Sequence, residues 1–214
     1  MARSQLVRDL DRIVAALRPE LKARGFDWRG RDFTRATADG LTQVINFQTG
    51  ERALRGKFTV NLGVFLPDVQ KNYTSDEVRS PPERIRESYC HIRTRLARNS
   101  ADRNDPWWSA ADIDESIVDI RQRFLGFGLK FLERFESREK IFLNLPGEAV
   151  CFGPPKNIVL AMICFERGEY TRAREILCEY VKASTHRAHV RHVLDVAAWL
   201  GLDLAVEERA FREF

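Results

Sequence analysis

From Leu6 onward, apolar residues return every three or four positions: Leu6, Leu10, Ile13 with Val14, Leu17 and Leu21. That spacing predicts an amphipathic helix. Ser4 stands where an N-cap belongs, and Gly25 where a C′ glycine ends a helix. The period then shortens to two. Phe33 to Ala36 reads as a short strand, followed by the hairpin pair Asp39-Gly40. In Leu41 to Gln48, Leu41, Gln43, Ile45 and Phe47 alternate with Thr42, Val44, Asn46 and Gln48. Phe58 to Leu66 repeats the pattern, with Phe58, Val60, Leu62 and Val64 set against Thr59, Asn61, Gly63 and Phe65. A fourth strand is expected over Tyr89 to Leu96, placing Cys90, Ile92, Thr94 and Leu96 opposite His91, Arg93 and Arg95. Such alternation implies an antiparallel sheet with one face in the core.

The stretch Pro67 to Arg86 is polar and contains Pro81-Pro82, so it reads as a loop, as does Asn99 to Pro106. After Trp107-Trp108, Asp112 with Glu115 resembles a capping box. A long helix follows, striped by Ile113, Ile117, Ile120, Phe124, Phe127 or Gly128, Phe131 and Phe135 and widened by Leu125, Leu129 and Leu132. Gly126 and Gly128 would admit close backbone approach at a propensity cost of ~1 kcal/mol each. Two wide apolar stripes need a common surface, so the helices from Ser4 and Asp112 should lie side by side on Ile45, Phe47, Val60, Leu62, Ile92 and Leu96. Pro146-Gly147 and Gly153-Pro154-Pro155 punctuate the chain before further helices near 157–167, 171–182, 186–200 and 203–214. The pattern therefore predicts an α+β fold: an antiparallel sheet of about four strands with helices on one face, followed by a C-terminal helical part. The expected division is an α+β domain over 1–140 and a helical extension over 141–214, an αα-hairpin with further helices.

Composition narrows the class. Of 214 residues, 44% are hydrophobic and 31% charged, which suits a folded chain with one sizeable core. Residues 1–104 carry 20 basic and 13 acidic side chains, against 15 and 18 in the remainder. The first half is thus the part expected to meet anions, although its charge is mild for a dedicated nucleic-acid binder. Cys90, Cys151, Cys164 and Cys178 form no C-x-x-C pair, and reduced thiols are the simplest reading. The charged, helical N-terminus is unlike a signal peptide, and the longest apolar run, Ile158 to Phe165, is too short to span a bilayer. A cytoplasmic location is expected.

The segments Gln43–Gln48, Phe58–Val64 and Cys90–Leu96, together with Trp107-Trp108, resemble the bacterial domain-of-unknown-function family 4304 over roughly the first 110 to 135 residues. The resemblance implies a small bacterial α+β domain. It brings no activity, cofactor or catalytic residue.

Candidate chemistry concentrates on the polar side of the sheet: Asn46, Gln48, Thr59, Asn61, His91, Arg93 and Arg95, joined by Arg35. Arg forks suit carboxylates and phosphates, amides add neutral donors and acceptors, and His91 could titrate near neutrality. A solvated face is the competing explanation, but such faces favour Lys, Glu and Thr over Asn, Gln and a His-x-Arg-x-Arg strand. Arg93 and Arg95 are expected to hold the anion, with His91, Asn46 and Asn61 at its edge.

His186, His189 and His192 lie at three-residue steps, each drifting about 60° around a helix, so one adjacent pair at most could share a metal. Cys90 and His91 should point to opposite sides of a strand, which excludes a Cys–His pair. Nucleotide-binding glycine patterns are absent. Leu160 to Ala173 resembles the junction of a tetratricopeptide helix pair, but one unit is not an array. No cofactor is expected. The reading is a non-enzymatic binding protein for a protein partner with an acidic surface, with immunity and antitoxin modules as a loose analogy. A nucleic-acid or small-anion binder is the alternative, and an unrecognised hydrolase or nuclease comes third.

Overall fold

The computed structural model describes residues 5–73, 83–96, 107–109, 112–147 and 154–204. Ser4, Cys151, the segment Asn99 to Pro106 and all but the start of the 203–214 helix lie outside these residues. The chain divides into two compact units, one of residues 1–65 with 84–153, the other of 66–83 with 154–214.

In the first unit, α1 (Gln5–Ala23) buries Leu10, Ile13, Val14, Leu17 and Leu21. It stops at Gly25, whose φ of 81° lets the amides of Gly25 and Phe26 reach the carbonyls of Lys22 and Leu21. Six strands follow: β1 (Asp27–Arg29), β2 (Asp32–Ala36), β3 (Thr42–Thr49), β4 (Lys57–Phe65), β5 (Ile92–Arg95) and β6 (Trp108–Ser109). All pair antiparallel in the order β1-β2-β3-β4-β5, with β6 also on β4. The fold is α+β, as the alternation predicts, but two strands were not expected. β1 and β6, of three and two residues, are too short to display a period.

One sheet face carries Phe33, Ile45, Phe47, Val60, Leu62 and Ile92, all buried. Leu17 and Leu21 of α1 meet Ile45, Phe47, Val60 and Leu96, as do Ile120 and Phe124 of the second helix. Both helices therefore share this face. The second helix is not uniform. It runs as α3 (Ile113–Arg123), a π turn at Phe124–Gly128, and α4 (Leu129–Arg134). The wider turn keeps Phe124 and Gly128 both buried and sends Leu125 out to solvent at 42% exposure, so Leu125 does not widen the stripe. A Cβ on Gly128 would come within 2.9 Å of Leu96, whereas Gly126 has nothing within 4 Å, so close approach explains only the first. Asp112 makes no side-chain cap; Ser116 instead donates to the Ser109 carbonyl at 3.0 Å. A short α5 (Arg138–Asn144) follows, capped by Ser137, which accepts from the Lys140 amide.

The second unit contains α2 (Pro67–Tyr73), α6 (Lys156–Glu166), α7 (Tyr170–Ala183) and α8 (Arg187–Trp199). The stretch after β4 thus begins as a helix, with Pro67 at a first helical position where its missing N–H costs nothing. Seven consecutive residues of α6, Ile158 to Cys164, are buried. α7 leaves α6 through Gly168 at a φ of 78°. No helix among the described residues is long and apolar enough to cross a membrane.

Candidate functional site: the second face of the sheet

The register decides what the non-helical face of the sheet holds. Arg29, Asp32, Asn46, Asn61 and Arg95 stand directly opposite one another across five strands. The next row contains Val44, Gly63 and Arg93. Arg35 stands opposite Gln43, on the helix side, so it does not belong to the polar face. It cannot: Thr34 and Asp32 take the outward positions of β2.

The amides are bonded to one another. Asn61 is buried, and its Nδ2 donates to Gln48 Oε1 at 2.8 Å and to Asn46 Oδ1 at 3.3 Å. Asn46 Nδ2 in turn donates to Asp32 Oδ1 at 2.6 Å. This chain satisfies a buried polar group that would otherwise cost about 1–3 kcal/mol.

A strap, residues 84–90, lies over this face at Val44, Gly63 and Phe65. At one end Arg84 Nη2 reaches Asp32 Oδ2 at 2.5 Å and the Arg29 carbonyl at 2.6 Å. Glu87, in a 3-10 turn, receives Arg93 in a two-point fork, Nε to Oε1 at 2.7 Å and Nη2 to Oε2 at 3.1 Å. Cys90 ends the strap against Gly63, where any Cβ would stand 2.6 Å from the Cys90 Cβ. Val44, Phe65 and Cys90 form a small buried cluster with Ile85 packed against it. Cys90 is therefore not on the helix side of β5. The strand begins only at Ile92, because Glu87–Tyr89 is a turn, and Cys90 shares the face of Val44 and Phe65.

These contacts separate the candidate residues. Arg93 has its fork on Glu87. His91 is buried with its ring 5.2 Å from that of Phe65, and burial lowers its pKa to about 4, so it is neutral at pH 7. Burial also pushes the Cys90 thiol well up, with Glu87 adding to the effect. Asn46, Gln48, Asn61 and Arg95 lie beyond the strap, at the end nearer the β3–β4 turn. Arg95 is half-buried, its guanidinium 5.1 Å over the Trp107 ring. Periodicity did not mark Trp107, Asp32, Arg84 or Glu87. The readable signal was the Trp107-Trp108 pair, since neighbours on a strand face opposite ways. Trp108 stacks on Phe58 at 5.9 Å and Trp107 meets Arg95.

Beside Trp107 a cleft of about 440 Å³ is lined by Trp108, Asp112, Glu115, Val118 and Asp119. Asp119 accepts from Trp108 Nε1 at 2.8 Å and from Arg123 Nε at 2.7 Å, so it serves structure. In the other unit, the His186 and His189 rings are 5.3 Å apart and Tyr180 Oη lies 3.5 Å from His189 Nδ1. Among the described residues no three His, Cys, Asp or Glu side chains are grouped to hold a metal ion.

Fold and face together define an α+β domain whose antiparallel sheet is covered by two helices on one side and partly by a strap on the other. The family model for the domain of unknown function DUF4304 matches residues 17–134, more than half of the chain, and the match ends with α4. The chain belongs to that family. Comparison with curated proteins and with solved structures gave no match.

Proposed function

We propose that the protein is a non-enzymatic binding module, and that the Gln48–Arg95 end of the second sheet face takes a protein partner with an acidic surface. The observation that carries this reading is Arg95 stacked on Trp107 beside the bonded amides of Asn46, Gln48 and Asn61. Arg and Trp are the side chains in which binding energy concentrates at protein interfaces, and stacking holds the guanidinium in place before a partner arrives. The amide chain fixes Gln48, which is exposed at the rim. On this reading Arg93 and His91 support the face from within and Arg95 meets the anion. Cys90, Cys164 and Cys178, all buried and none in a disulfide, suit the reducing setting of a cytoplasmic protein.

The test is capture of partners from a lysate of the source organism with the wild-type chain, Arg95→Ala and Trp107→Ala, alongside titration of short DNA and RNA at two salt concentrations. A stoichiometric protein lost with either substitution, with the variants still folded by circular dichroism, supports the reading. Binding of nucleic acid that falls steeply and linearly in log salt, with no protein lost on substitution, sinks it.

A further inference from the structure

On the helix side of the same sheet, β2 and β3 carry two polar residues where the alternation calls for apolar ones. Phe33, Ile45 and Phe47 are buried there, yet Arg35 and Gln43 stand opposite each other in that face. Gln43 is fully buried. Its Nε2 donates to the Leu132 carbonyl of α4 at 2.7 Å, and its Oε1 accepts from Arg35 Nε at 3.0 Å and Nη2 at 2.7 Å. Arg35 Nη1 donates to the Arg24 carbonyl at 2.9 Å, and the guanidinium lies 4.5 Å over Phe26. A guanidinium has five N–H groups. These bonds use three and leave one N–H on each terminal nitrogen.

Over Arg35 and Gln43 opens a cleft of about 450 Å³, walled by Thr37, Asp39, Glu133 and Glu136. Two of its carboxylates are already engaged. Asp39 accepts from the Arg138 amide at 2.6 Å and pairs with its guanidinium at 3.3 Å, and Glu136 pairs with Lys140 at 2.5 Å. Glu133 makes no ion pair or hydrogen bond among the described residues. Burial lowers the Arg35 pKa, while Glu136 and Glu133 raise it, so the carboxylates act on the guanidinium across the cleft without closing on it. The cleft thus presents one cation and one anion, held apart. A simple anion would meet Glu133 and Glu136, and a simple cation would meet Arg35. A ligand carrying both charges satisfies both sides.

We propose that this cleft binds a small zwitterion of the α-amino-acid type, its carboxylate on the two remaining Arg35 N–H groups and its ammonium toward Glu133. The volume lies within the ~300–1,000 Å³ of small-molecule sites, at the end suited to an amino acid or dipeptide. Gln43 is a positioning residue, since it anchors the Arg35 fork to α4. The site shares no residue with the Gln48–Arg95 end of the second face, so its failure leaves the protein-binding reading untouched.

The experiment titrates the twenty amino acids, one at a time, into the isotopically labelled full chain and follows backbone amide signals by NMR. At least one amino acid is expected to shift the signals of Thr37–Gln43 and Glu133–Ser137 saturably. Its N-acetyl and methyl-ester derivatives should bind about tenfold more weakly, as should the parent ligand to Glu133→Gln, a surface change that spares the fold; tenfold corresponds to about 1.4 kcal/mol. Arg35→Lys keeps the charge and loses the fork, and should weaken the carboxylate end alone. No saturable shift with any amino acid would overturn the proposal, and so would equal binding of the blocked derivatives or unchanged affinity in Glu133→Gln.

Discussion

Replacing Glu87 by Gln removes a charge from the strap without changing its size, and the structure says what that should cost. Glu87 is 10% exposed and Arg93 33%, with contacts of 2.7 and 3.1 Å. Hydrogen bonds to charged groups contribute about 1.5–3 kcal/mol each when sheltered, whereas exposed ion pairs contribute about 0–1 kcal/mol. Arg93 keeps a third of its surface in water, so the fork belongs between these limits. A coupling energy of about 1–2 kcal/mol is expected from a double-mutant cycle of Glu87→Gln and Arg93→Gln. The assay is urea unfolding at pH 7, read as midpoint and slope. Each single variant should lose stability, and the double variant should lose less than their sum. Additivity within about 0.3 kcal/mol would refute the reasoning. Arg93 would then be available to an outside anion after all, and the division between supporting and contacting arginines would fall.

Two further outcomes follow from the same face. Gly63→Ala sets a Cβ 2.6 Å from the Cys90 Cβ and 2.7 Å from its sulfur, and should cost about 1–3 kcal/mol; Cys90→Gly should recover most of that loss, and an unchanged melting temperature for Gly63→Ala would mean the strap does not lie there. His91 has a folded pKa of about 4 against an ordinary 6.5, so between those values the unfolded chain binds the extra proton. The stability owed to neutral His91 is complete above about pH 6.5 and is lost as pH falls, by about 3 kcal/mol near pH 4. Unfolding midpoints at pH 7 and 4.5 should therefore differ less in His91→Gln than in the wild type, and equal differences would disprove a buried neutral imidazole.

Much of the sheet was legible because its strands are long enough to count. Eight residues of β3 and nine of β4 show which side chains share a face, and the register then follows from burying Ile45, Val60 and Ile92 together. The two covering helices were legible for the same reason. β1 and β6 were not, since two or three residues carry no period. The π turn was hidden as well: Phe124, Leu125, Phe127 and Gly128 fit an ordinary helical stripe, and only the packed structure shows that the wider turn sends Leu125 outward. Cys90 was misplaced because His91, Ile92, Arg93 and Thr94 alternate so regularly that starting the strand three residues early, at Tyr89, breaks no local rule. What ends it is tertiary, the turn at Glu87 that carries the strap across Gly63.

That strap explains why a polar pattern does not by itself mark a binding surface. Alternation reports which side chains share a face, but not what later lies on that face. Residues 84–90 have no period of their own, and their fit becomes apparent only against partners far away in the chain: Asp32 for Arg84, Gly63 for Cys90, Val44 for Ile85. Gly63 was a clue in plain view, since a glycine inside an alternating strand often marks the close approach of another backbone. Once the strap is in place, Arg93, which looks identical to Arg95 by position and type, is held by Glu87, while Arg95 two residues on meets Trp107. The difference between the two arginines is therefore set by where the strap ends. Beyond the strap Gln48 is exposed, and Arg95, half-buried, lies over Trp107.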